Sequence, residues 1–135
     1  MFVTVLVIAI IFVAGLVLDG GNILAAQRQA GNEAESAARA GAQHLDVDAL
    51  RSTNEHRLDE GAATAAVNDF VSNELGSGHH VVGTPSFTCD TVTVTIEIDQ
   101  RLLILGIAGL IPRPVSATAT ARIERGVASA DPSTC

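Results

Sequence analysis

The first 18 residues carry no charged side chain, and Asp19-Gly20-Gly21 closes the run abruptly. Phe2, Val5, Ile8, Ile11, Phe12, Leu16 and Leu18 supply its bulk. As a helix rising 1.5 Å per residue the run would reach about 27 Å, close to the hydrocarbon thickness of a bilayer. A cleaved secretory signal needs a basic start and a small-residue exit site. Nothing basic precedes Phe2, and Leu16-Val17-Leu18-Asp19 is a poor exit site, so a retained membrane helix is the expectation. Orientation is less direct, because the nearest basic residues, Arg28 and Arg39, follow the run. Cytoplasmic flanks collect Arg and Lys, which taken alone would leave the C-terminal region inside the cell. A short basic leader upstream of Met1 would reverse this and send residues 19–135 outward, and the remaining composition favours that second explanation.

Beyond the run lie 117 residues, enough for one small extracytoplasmic domain. There is no Trp and no Tyr, so its interior must be assembled from Ala, Val, Leu and Ile. A net charge of −7, with eight Arg and no Lys, argues against a nucleic-acid partner, which would need a clustered basic surface. Cys89 and Cys135 fit one disulfide in an oxidising compartment, with two unrelated thiols as the alternative. Two cysteines so far apart do not make a metal cage.

Residues 22–45 are rich in helix formers, and Ile23, Ala26, Ala30, Ala34, Ala37 and Gly41 recur at spacings of three and four. The narrow face of small residues that results would let another backbone come close. That backbone could belong to a neighbouring helix or to the chain's own domain. Glu35 and Arg39 form a favourable four-residue pair on the opposite side. If Asp19, Gly20 and Gly21 are a break or cap, the helix ends there. If they are only a kink, residues 2–45 form one rod of about 65 Å.

Residues 46–60 are charged and poorly periodic and predict a turn or a frayed connection. Residues 61–75 predict a second helix with Ala63, Ala66, Val67, Phe70 and Val71 on one face and Gly76 as its stop. The period then changes to two: Val92, Val94, Ile96 and Ile98 alternate with Thr91, Thr93, Thr95, Glu97 and Asp99, and a second alternation runs from Val115 to Glu124. These two strands should pair antiparallel, with shorter strands at 80–82 and 86–89. The expected class is α+β: residues 1–18 a membrane helix, 19–45 its helical continuation, 46–135 a small head with a C-terminal tail. Residues 102–111 are almost wholly apolar, too short to span a bilayer and too apolar for an ordinary loop. They belong either in the core of the sheet or against a neighbour or lipid headgroups.

Catalytic chemistry finds little footing. His79-His80 lacks a Glu or Cys at ligand spacing and reads as a pair of solvated loop histidines. Asp46-Val47-Asp48 and Asp19-Gly20-Gly21-Asn22 read as helix termini or caps rather than calcium ligands. Ser86, Ser116 and Cys89 have no His and acid at a recognised spacing, and no phosphate loop occurs. No enzyme and no cofactor is expected.

Three stretches carry a resemblance: the apolar start with Ala14-Gly15-Leu16-Val17-Leu18-Asp19-Gly20-Gly21, then Gln27-Arg28-Gln29, then Ala34-Glu35-Ser36-Ala37-Ala38-Arg39-Ala40-Gly41-Ala42. They resemble the N-terminal signature of the TadE/TadG-like family of the tight-adherence (Tad) branch of type IV pili, in its actinobacterial form. Val115 to Arg122 is similar to that family's closing strand. The resemblance implies a membrane-anchored precursor trimmed by a prepilin peptidase and then polymerised or placed at a pilus tip. Its partners would be other copies or other pilins, the membrane before assembly, and an ATPase and platform proteins of the Tad machinery. A membrane-anchored extracytoplasmic binding module that does not polymerise is the alternative. Type IV pilins usually carry a glutamate near the fifth residue, whereas here residue 5 is Val and the first acid is Asp19, so the resemblance does not extend to docking through that ion pair.

Overall fold

The computed structural model describes residues 1–54, 56–88, 90–102, 104, 106, 109, 111 and 113–123. A single helix, α1, runs from Phe2 to Ala42 over 41 residues, a length of about 60 Å at 1.5 Å per residue. Asp19, Gly20 and Gly21 lie inside it without interrupting it, which corrects the reading of these residues as a break or cap. The strong helix formers on both sides carry the backbone through the two glycines, which cost helix stability but do not forbid it.

The short helix α2, Val47–Thr53, occupies the segment expected to be a turn or a frayed connection. Asp46 caps it, its Oδ1 accepting the Ala49 N–H at 2.9 Å, and Asn54 closes it in the left-handed conformation at φ 58°. Asp46 N donates to the Arg57 carbonyl at 2.9 Å and Asp59 N to the His44 carbonyl at 3.0 Å, so α2 is an excursion closed at its base. Helix α3, Glu60–Glu74, is capped by Asp59 and turns Ala63 and Val67 inward, with Phe70 and Val71 packed beside them.

Four antiparallel strands follow: β1 His79–Val81, β2 Ser86–Thr88, β3 Thr91–Ile98 and β4 Val115–Arg122. Strand β3 is the centre, pairing β4 along its whole length and β1 and β2 on its other side. Its alternation is complete: Val92, Val94, Ile96 and Ile98 are buried, while the Thr and Glu between them face outward. Thr93 pairs with Thr120 and Thr95 with Thr118, each at 2.8 Å between hydroxyls, a cross-strand ladder on the polar face.

The inner face of the sheet is covered by the C-terminal half of α1. Ala30, Ala34, Ala37, Ala38 and Ala42 belong to the same buried cluster as Val67, Val92, Val94 and Ile96. Ala30, Ala34 and Ala37 of the small-residue face, with Gly41 against Val67 and Val92, therefore lie on the chain's own head, and Ala26 is buried as well. Only small side chains fit this gap: a methyl added at Gly41 would lie 3.0 Å from Val67 Cγ2 and 3.2 Å from Val92 Cγ1. The expected Cys89–Cys135 disulfide and the C-terminal tail lie outside the described residues.

Candidate functional site: an apolar helix and the loop that returns to it

The N-terminal half of α1 extends past the head with almost nothing of the molecule against it. Phe2 is 81% exposed, Ile8 50% and Leu16 61%, and Val5, Ile11, Phe12 and Leu18 are likewise exposed. Large aliphatic side chains left in water on this scale would oppose folding and solubility, since each forgoes about 1.5–3 kcal/mol of burial. The segment is long and apolar enough to cross a membrane and is a candidate anchor.

Two residues in this half of the helix are covered, and by one element. Gly15 is buried because Ile104 sits directly on it: a Cβ at Gly15 would fall 2.5 Å from Ile104 Cγ2. One turn further along, Asp19 is 1% exposed, and its Oδ2 accepts the Ile104 N–H at 3.1 Å. Gly15 and Asp19 are four apart and share one helix face, so the absence of a side chain at one and the carboxylate at the other fix the same loop residue. A buried carboxylate is costly without partners, and here it accepts the Ile104 N–H, brought by the loop between β3 and β4. Asp19 is thus a site residue, but as the fastening of a loop rather than a helix terminus. Sequence offered no sign of a partner 85 positions away.

Glu33 fastens the second half of the helix to the head. His79 Nδ1 lies 2.7 Å from Glu33 Oε2, with both side chains largely covered, and His80 Nε2 lies 3.0 Å from Glu97 Oε1. The two histidines are strand residues engaged by carboxylates, not the solvated loop pair expected. Glu35 and Arg39 are ion-paired along α1 as the spacing predicted. In the groove between α3 and β1, Ser72 Oγ donates to the Asp69 carbonyl at 3.2 Å while His79 is held by Glu33, so no hydroxyl is paired with a base there. Among the described residues no group of three His, Cys, Asp or Glu is placed to hold a metal ion. The Asp46 carboxyl is held below the usual carboxylate range, first by the Ala49 N–H and then by Arg57, whose Nε and Nη2 reach Oδ2 at 2.9 and 2.8 Å. This is the chemistry of a helix cap.

Comparison with known families bears on the same helix. Residues 1–44 match the model of the TadE/G-like Flp pilus-assembly family. No curated protein and no solved structure matches the chain.

Proposed function

We propose that this chain is a membrane-anchored, pilus-associated subunit, held in the cytoplasmic membrane by residues 2–18 with its head outside, and incorporated through that helix into a Tad filament or its tip. The observation that supports this most is a coincidence in place: the family match covers α1, and the exposed apolar stretch is the first half of α1. A helix whose large side chains stand exposed needs lipid or sister helices around it. Exchanging lipid for identical helices keeps that surface covered throughout, so polymerisation requires no bond-making by the subunit. Work for extraction comes from a separate ATPase, and the partners are other copies of the chain or other pilins. The head, with its threonine face outward and acidic balance, is the solvent-facing part.

The test places an acid in the exposed stretch. Ile8→Asp or Ile11→Asp costs about 2.5–3.5 kcal/mol of insertion at the centre of a membrane helix, roughly a hundredfold in partitioning. The variants should leave the membrane fraction and disappear from pili sheared off the cell surface, while their heads keep native thermal unfolding. Normal filaments from either variant would refute the proposal. Retention of the native chain in the membrane, with none in sheared material under electron microscopy, would point to a non-polymerising binding module.

A further inference from the structure

We infer that the loop between β3 and β4 is a second membrane contact, seated in the headgroup region of an anionic bilayer beside the point where α1 leaves it. This rests on the reading that residues 2–18 lie in lipid, and adds to it a surface that the family match, ending at residue 44, does not touch.

The placement follows from α1. Ile104 packs on Gly15, and Gly15 is three residues inside the end of the apolar run, about 4.5 Å along the axis. The run from Phe2 to Leu18 measures about 25 Å against a hydrocarbon core of about 30 Å. A bilayer that covers the run therefore reaches Gly15 and, with it, the loop residue resting there. Asp19 sets the limit on depth: its carboxylate is satisfied by the Ile104 N–H, so the helix can keep an acid at the boundary without exposing it to lipid.

The loop's chemistry matches that location. Residues 102–111 contain no charge and no polar side chain. The Gly109 N–H donates to the Gly106 carbonyl at 3.1 Å, and Ile111 stands 86% exposed. Arg101 and Arg113 bracket the segment; both are exposed, and neither forms an ion pair among the described residues. In a chain of net charge −7, two exposed arginines on either side of an apolar segment are the arrangement expected at an anionic interface, where guanidinium groups meet phosphates and the apolar residues sink below them. A second copy could also cover Ile111, but lipid is already required on the adjoining helix surface, and the flanking charges suit phosphates.

Because the chain has no Trp, Ile111→Trp gives a single fluorophore at the exposed position. The full-length variant is reconstituted into vesicles of phosphatidylcholine and phosphatidylglycerol, floated, and quenched with lipids brominated at different depths along the acyl chain. Blue-shifted emission, quenched more strongly by shallow than by deep bromines and weakened when phosphatidylglycerol is left out, is the expected result. Asn73→Trp on the exposed side of α3 should emit as in water and escape quenching. Water-like, unquenched emission from Ile111→Trp in floated vesicles overturns the loop contact while leaving the anchor standing. Blue-shifted emission without quenching overturns it in favour of a second copy. Quenching independent of phosphatidylglycerol overturns the part given to Arg101 and Arg113. Protein that fails to float overturns the anchor and the loop contact together.

Discussion

The two halves of α1 obey opposite packing rules on one continuous backbone. From Phe2 to Leu18 most side chains are large, apolar and exposed; from Ala26 to Ala42 the buried face is almost all alanine. Ranking residues by hydropathy would invert this order and bury the first half. What differs is the partner. The second half lies against a sheet whose inner face already carries Val92, Val94, Ile96 and Ile98, and a methyl group is all the remaining gap admits. Away from Gly15, where Ile104 sits, the first half has no such limit, and its large side chains suit a surrounding of acyl chains or other helices, where area and contour matter more than closeness.

Substitutions that affect one half and spare the other test this contrast. The greatest effect is expected from Ile96→Ala, which opens a cavity beneath the alanine face and should lower head stability by about 2–5 kcal/mol. Denaturant unfolding of the detergent-solubilised chain, followed by far-ultraviolet circular dichroism, measures it, and membrane retention should not change. Ala34→Leu comes next: overpacking the gap should cost about 1–3 kcal/mol, whereas Ile10→Leu in the exposed half should leave the same unfolding curve in place. If both variants behave alike, the contrast between the halves is lost.

A smaller effect belongs to the short helix just beyond the end of α1. Asp46→Ala removes the cap of α2 and both contacts to Arg57 and should lower stability by less than either head-core substitution. The pH dependence follows from the lowered carboxyl pKa. The folded chain holds Asp46 ionised more firmly than the unfolded chain does, so the contribution is fully present above the unfolded carboxylate value and is lost as pH falls through the folded one. Unfolding curves of the native chain and of Asp46→Ala should therefore converge on acidification. The finest distinction is Gly21→Ala. A Cβ there meets no atom within 4 Å, and the helix interior should gain about 1 kcal/mol from the change. A loss of stability would mean that the junction between the halves needs its glycine.

Much of this architecture can be read along the chain, because β3 and β4 alternate without a fault and α3 repeats at helical spacing. The long helix was equally legible, including the possibility that the glycines would not stop it. Helix α2 escaped notice for a physical reason: it buries no residue, so it has no periodicity. Its end signals were nonetheless present, with Asp46 and Asp48 at the start, Arg51 in the last turn and Asn54 just beyond. The small-residue face was plain, but such a face is the same whether a sheet or a sister helix lies on it. Asp19 was the least legible, since a carboxylate after an apolar run resembles a terminus until a loop from the far end of the chain arrives to meet it.

That α1 passes unbroken from the exposed stretch into the centre of the head has a mechanical consequence. Tension applied at the N-terminal end is delivered through a stiff rod straight to the alanine–valine seam, where the load spreads along the helix as shear instead of peeling one turn at a time. The tether and the body it carries are one piece of secondary structure, so pulling the head free would mean dismantling it.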